Sequence, residues 1–356
     1  MSLLTDVIQQ PQQLGELSQQ EWDQLLRFSR YAKVTATLHE HVKQLELRDQ
    51  IPQSALNFLD AEQVRSSYMQ LQAKRELHEI EQALAGTTYP VILLKGAAYI
   101  AGNLAPASGR RLSDIDLMVP QKNLEEIEHK LLDAGWTTKD DLSDYDQNYY
   151  RDWSHEIPPL HHPLRCLEVD IHHNISPPTS AIKINADLLF GHATQITQSR
   201  FSVLCPQDMF LHSATHLFMN DELRGGLRDL MDMHLLSTKS PNAFWPGLSE
   251  RANQLGLSRP LYYAVTALQD ILETPIPAET LEEVNQSAPN ALSRQLMHKL
   301  VTRQLAPSNP EQLQAPFTQW LLFIRSHWVR MPPKMLLKHL SYKWWKKLTS
   351  SENMSK

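Results

Sequence analysis

Asp114 and Asp116 are the residues whose type and spacing point most directly to chemistry. They lie in the run Arg110-Arg111-Leu112-Ser113-Asp114-Ile115-Asp116-Leu117-Met118-Val119, which reads as a strand. Alternate side chains of a strand share a face, so the two carboxylates project together while Ile115, Leu117 and Val119 turn to the core. Two carboxylates about 7 Å apart on one pleated face repel each other unless a cation sits between them. Hard oxygen ligands with few His or Cys nearby favour Mg²⁺ or Mn²⁺ over Zn²⁺. A third carboxylate comes from Leu167-Glu168-Val169-Asp170-Ile171-His172, where alternation groups Glu168, Asp170 and His172 on one face. If this strand lies beside the Asp114 strand, Asp170 completes a three-carboxylate cluster, with Glu168 as the alternative. Such a cluster can hold two metals that activate an attacking oxygen and neutralise a leaving pyrophosphate.

Phosphate needs positive and backbone donors as well. Lys95-Gly96 lies where a strand gives way to a helix, so the free N–H groups of that helix start can receive an anion, with Lys95 adding charge. Arg110 and Arg111 precede the metal strand and could contact a triphosphate. Arg228, Asp229 and Asp232 stand at helical spacing; they read first as a salt-bridge set, and alternatively as part of a helix that closes a nucleotide cleft with Arg228. His155, His161, His162, His172 and His173 crowd together, but none has the HExxH or paired Cys/His spacing of a zinc site. Structural or loop roles are expected for them, except that His172 shares a face with Asp170 and could orient that carboxylate or a phosphate.

The elements that must position these residues are legible from periodicity. Ser18 and Glu21 have capping-box spacing ahead of Trp22, Leu25, Leu26 and Phe28. A longer helix is expected from about Ala61, with Val64, Tyr68, Leu71, Ala73, Leu77, Ile80 and Leu84 at helical intervals and Gly86 to end it. The period then changes: Pro90–Lys95 reads as a short buried strand, Ala97–Ala101 as a helix start, Leu112–Val119 as a second strand and Cys166–Ile171 as a third. Between the last two lie a helix with Leu124, Ile127, Leu131 and Leu132, closed by Gly135, and an acidic, aromatic stretch over 139–150 that reads as an exposed excursion. From Pro206 the pattern is helical again, broken by prolines.

Three runs, VILLKGAAYI (91–100), GRRLSDIDLMVP (109–120) and EVDIHHNI (168–175), resemble the uncharacterised nucleotidyltransferase family of the polymerase-β-type superfamily, over roughly residues 75–240. The changes of period bound a helical region over 1–86, a core over 87–205 and a second helical region over 206–356, and the resemblance implies an α+β fold in which that core is a small mixed-sheet nucleotidyltransferase unit. It implies that Asp114 and Asp116 are the metal-binding pair and Asp170 the third acid, which assists deprotonation of an acceptor hydroxyl. The nucleotide-binding set expected is Lys95, Gly96, Arg110, Ser113 and Arg228. Lys95 and Gly96 stand where better-known superfamily members carry a Gly-Ser turn.

Composition bounds the rest. At 356 residues and 42% hydrophobic the chain can fill a core in about two domains. Two cysteines, Cys166 and Cys205, form no disulfide framework; with no basic n-region at the start and no run of 18 apolar residues, a cytoplasmic protein without a secretory signal or transmembrane segment is expected. The net charge of -6 argues against a surface coated in nucleic acid. From Trp320 to Lys356, however, eight Lys or Arg face only Glu352, giving +7 and leaving -13 for the preceding 319 residues. The segment from Trp328 onward is expected to pack an apolar stripe on the body, the sharper alternatives being contact with nucleic acid, a membrane surface or another anionic partner. The function expected is Mg²⁺- or Mn²⁺-dependent transfer of NMP from an NTP to an unidentified acceptor, whether protein, RNA or small molecule. γ-Phosphate transfer and a noncatalytic nucleotide-binding module are the alternatives.

Overall fold

The computed structural model describes residues 2–138, 149–219, 223, 225–240, 243–307, 316–332, 335, 336 and 341. Its strands are β1 (Val91–Leu93), β2 (Asp114–Met118), β3 (Thr137–Thr138), β4 (Leu160–His161), β5 (Glu168–His172), β6 (Thr194–Gln195) and β7 (Phe201–Val203). They form one mixed sheet in the order β3-β4-β5-β2-β1-β7-β6. β2 is antiparallel to β1 and parallel to β5, and the β2-to-β5 connection contains the Leu124–Asp133 helix, as a parallel crossover requires. This is the α+β architecture expected, with helices before and after the sheet.

Strand alternation divides the sheet's two faces. Ile115, Leu117 and Val119, with Val169 and Ile171, pack beneath Ala73, Leu77 and Ile80 of the long helix and Ile127 and Leu131 of the crossover helix. On the other face Ile92 and Met118 join a larger cluster that includes Leu25, Leu38 and Leu59 from the N-terminal helices and Phe210, Leu230 and Leu268 from the C-terminal ones. The described N-terminal and C-terminal helices therefore cover one side of the sheet, the side onto which Asp114, Asp116 and Asp170 project.

Several local readings meet the structure directly. The Ser18 hydroxyl accepts from Glu21 N, and the Glu21 carboxylate accepts from Ser18 N at 2.8 Å, which caps the Gln19–Tyr31 helix. The crossover helix ends in a Schellman motif, with Trp136 N donating to Leu131 O and Gly135 N to Leu132 O, and Gly135 takes the left-handed backbone that this turn demands. The long helix differs from expectation. It begins at Gln53, directly after Pro52, and runs to Ala83. Val64, Tyr68 and Leu71 lie on its solvent side, 71%, 55% and 63% exposed. The buried face is instead Ala55, Leu56 and Leu59 toward one cluster and Ala73, Leu77 and Ile80 toward the other, so one helix spans both cores.

Of the excursion over 139–150, all but Tyr149 and Tyr150 lies outside the described residues, as does most of the basic tail. The tail's first helical segment is described as Pro316–Arg330, which buries Thr318, Leu322, Ser326 and His327. Trp328, expected to pack on the body, is 65% exposed, because the helix face it occupies points away from the residues that are buried. Among the described residues no helix is long and apolar enough to cross a membrane.

Candidate active site

Parallel pairing of β2 with β5 sets Asp116 opposite Asp170 and Asp114 opposite Glu168. The pair on one strand and the third acid on its neighbour thus meet on one face, as strand alternation implied. Asp116 is buried at 4% exposure, while Asp114 and Asp170 are half-buried. Burial, reinforced by the negative charges of Asp116 and Glu156, pushes the Asp170 carboxyl up to about 7, and its Oδ1 is buried without a hydrogen-bond partner. Burial and Asp116 also raise Asp114, against the opposing charge of Lys95. Asp116 behaves oppositely: burial disfavours its charge, but Lys95 and His172 together hold it well below the usual carboxylate range.

Two cations make that difference. Lys95, the first residue of the Lys95–Ala101 helix, sends Nζ to Asp116 Oδ1 at 2.9 Å. Burial works against its ammonium form, yet Asp116, with Asp114 and Glu156 behind it, leaves a net upward shift. His172 Nε2 lies 3.0 Å from the same Asp116 oxygen and donates to it, since a charged carboxylate only accepts. Burial opposes a charged His172 ring, but Asp116 and Glu156 outweigh it. The sequence-based role of His172 as an orienting residue thus has a specific object, Asp116 rather than Asp170.

The other expected nucleotide contacts are placed less uniformly. Arg110 is a correction: its guanidinium is buried, ion-paired with Asp232 and stacked over the Tyr99 ring at 5.1 Å, so it ties the segment before β2 to the Leu227–Lys239 helix instead of facing a phosphate. Gly96 is buried too, and a Cβ there would come within 3.0 Å of Arg110 Nε and 3.1 Å of Leu112 Cγ, so its smallness serves packing. Arg111 reaches Glu62 of the long helix at 3.2 Å. Ser113 Oγ donates to Asp114 Oδ1 at 3.3 Å. Arg228 sits against Asp229 at 3.3 Å, and its charge also acts on Asp114.

Beside the carboxylates opens a cleft of about 440 Å³, within the usual size range of small-molecule sites. Lys95 and His172, the two residues bonded to Asp116, form part of its wall, as do Arg228 and Asp229. His155, Glu156, His212, His216, Lys33 and Arg330 line it as well. Sequence reasoning gave His155 a structural or loop role and passed over the others. His212 and His216 carried a usable signal, four apart on one face of the Pro206–Met219 helix; Lys33 and Arg330 had none, being brought in from opposite ends of the chain. A second cleft, apolar and about 250 Å³, lies between Tyr262 and Val301 and shares no lining residue with the first.

A family model described as an uncharacterised nucleotidyltransferase matches residues 18–273. The chain belongs to that nucleotidyltransferase family. No curated protein and no solved structure matches it. Membership extends the resemblance to the N-terminal helices that cover the sheet, and it carries a general role in nucleotidyl transfer. The nucleotidyltransferase carboxylates also fit a divalent cation. Three acids meet on one face, a buried Asp170 oxygen has no partner, and the donors are all oxygen, the set that suits Mg²⁺ or Mn²⁺.

Proposed function

We propose that this chain transfers an NMP group from an NTP to an acceptor hydroxyl, with Asp114, Asp116 and Asp170 holding Mg²⁺ or Mn²⁺. The observation that carries this reading is the register of β2 on β5, which sets Asp170 beside Asp116 with an unsatisfied buried oxygen. The bound metal would neutralise the triphosphate and the departing pyrophosphate. Asp170, with a carboxyl near pH 7, is poised to take the proton of the acceptor hydroxyl, whose oxygen bonds to the α-phosphorus as the bond to the β-phosphate oxygen breaks. His172 and Lys95 keep Asp116 ionised and fixed. Lys95 and Arg228, both in the cleft wall, are assigned to phosphate oxygens in this reading. Arg110 and Gly96 enter as residues that position the segments around β2, and Ser113 as one that orients Asp114. The two free thiols, Cys166 and Cys205, accord with a reducing, cytoplasmic setting.

The test is incubation of purified protein with NTP labelled at the α or the γ phosphate, Mg²⁺ or Mn²⁺, and cell extract resolved into protein, RNA and small-molecule fractions. Transfer of the α label with release of pyrophosphate is expected, and Asp114→Asn or Asp116→Asn should abolish it. Movement of the γ label alone would replace the reading with a kinase. Transfer undiminished in both variants would end it.

A further inference from the structure

The five crowded histidines showed no zinc spacing in the sequence, yet folding gathers two of them with a carboxylate. One ligand atom each from His155, Glu156 and His172 lies within 4.8 Å of the other two. His172 Nδ1 and Glu156 Oε2 are 3.4 Å apart. Two donors at about 2.0–2.1 Å from a tetrahedral ion stand roughly 3.3–3.4 Å from each other, so this separation accommodates a shared metal as well as a direct ion pair.

We propose that His155, Glu156 and His172 form a second metal site, distinct from the three-aspartate cluster and suited to Zn²⁺. Three further observations support it. First, His172 Nε2 donates to Asp116, which aims Nδ1 at the Glu156 carboxylate; the charged ring holds a proton in that gap, and a metal ion would take that proton's place. The same bond is the outer contact that metal-ligating histidines make, the far ring nitrogen donating to a carboxylate. Second, His155 Nδ1 is buried with no hydrogen-bond partner, so its ring nitrogen is available to an ion. Third, the frame is rigid: Glu156 and His172 form an antiparallel bridge, Ile157 N donates to Ile171 O at 3.0 Å and His173 N to His155 O at 2.8 Å. The ligands thus sit on two hydrogen-bonded segments, not on separate loops.

The donor set decides the ion. Two imidazoles and one carboxylate suit Zn²⁺ and its neighbours, whereas Mg²⁺ prefers oxygen. Three protein ligands leave a fourth position open, as in catalytic zinc sites. All three residues line the cleft, so an ion can enter from it and that position is available to a group bound there. Asp116 then joins the two centres, holding His172 on one side and serving the aspartate cluster on the other.

The test requires no nucleotide. Full-length protein stripped with chelator is dialysed against Zn²⁺ in excess Mg²⁺ and its metal content measured; Co²⁺, a spectroscopic substitute, is titrated in parallel. One Zn²⁺ retained per chain and the visible absorption of tetrahedral Co²⁺ are expected. His155→Gln and Glu156→Gln should each lose both signals while keeping the wild-type near-UV circular dichroism. Asp116→Asn should weaken binding by about 10- to 100-fold through loss of the outer contact. Asp114→Asn and Asp170→Asn, which cripple the proposed nucleotidyl transfer, should retain the Co²⁺ spectrum, so the two proposals fail separately. Wild-type protein that holds no Zn²⁺, with a proton then filling the gap between His172 and Glu156, would overturn the site. Retention unchanged in a folded His155→Gln/Glu156→Gln double variant would do the same.

Discussion

Asp170 and Asp116 are register partners, yet the first carboxyl is pushed up to about 7 and the second held well below the usual carboxylate range. The difference lies in their neighbours, since Lys95 and His172 both bond Asp116 and neither bonds Asp170 in this arrangement. Because its folded value is raised, Asp170 binds a proton more tightly in the folded than the unfolded chain between about pH 4 and 7. Its contribution favours folding below that window and is lost as pH rises through 7. A metal must displace the same proton, so Mn²⁺ affinity should climb with pH and level off above about 7. Thermal shifts with Mn²⁺ at pH 5.5 and pH 8 check this: the shift should be larger at pH 8, and Asp170→Asn should flatten the difference. Lys95→Met removes the ammonium from a part-buried pair and leaves Asp116 with His172 alone, a loss of up to about 3 kcal/mol; Mn²⁺ should then restore more thermal stability to the variant than to wild type. Asp114, Asp116 and Asp170 were legible because strand alternation is local. The Lys95–Asp116 bond, spanning 21 residues, and the Arg110–Asp232 pair, spanning 122, were not, because only the fold chooses such partners.

Between the strands and the helices, the segment before β2 is the joint that holds the site. Arg110 reaches across to Asp232 on the Leu227–Lys239 helix, and the carbonyl of Arg110 accepts from Ser66 and Gln70 of the long helix. Burial raises the Asp232 carboxyl to about 6 even against Arg110, a sign of how strongly this pair is desolvated. Arg110→Met alone leaves a buried carboxylate without its partner and should cost about 3–5 kcal/mol in urea denaturation, whereas the double variant with Asp232→Leu should recover most of that loss. A second contact is steric. Gly109 has φ +65°, and a Cβ there would lie 2.7 Å from the backbone of Ala36 and Thr37. Gly109→Ala therefore meets both strain and a clash that no side-chain rotation relieves; a loss of at least about 1–3 kcal/mol is expected by the same measurement. The strands that carry the acids announced themselves by alternation, but β3, β4 and β6, two residues each, are too short to show any period. The long helix was misplaced at its start for a related reason: the apolar interval of Val64, Tyr68 and Leu71 is helical, but periodicity does not say which face is dry.

Across the whole molecule, the division at 86 and 205 follows the change of sequence period, whereas the packing ignores it. One buried cluster runs from Leu4 through Ile92 and Met118 to Leu322, joining both helical ends to the sheet, and the other needs Ala73, Leu77, Ile80 and Leu84 from the N-terminal region. A fragment of residues 87–205 would expose both faces of the sheet. The face it uncovers behind β2 is also the site's wall, since His212, His216, Arg228 and Asp229 come from helices beyond 205. The acidic excess of the first 319 residues gains a local meaning from this arrangement: three of its carboxylates are gathered at one face and answered by Lys95, so the net charge is a poor guide to what the cleft attracts. The 87–205 fragment should therefore fail to fold, giving collapsed amide dispersion by NMR and no Mn²⁺-dependent thermal shift. Residues 2–332, which retain both covering layers, should melt in one cooperative transition and keep the Mn²⁺ response of the full chain. A folded 87–205 fragment that binds Mn²⁺ as tightly as the intact protein would show that the sheet needs neither helical region to assemble its carboxylates, and the helices would then be left only the shaping of the acceptor cleft.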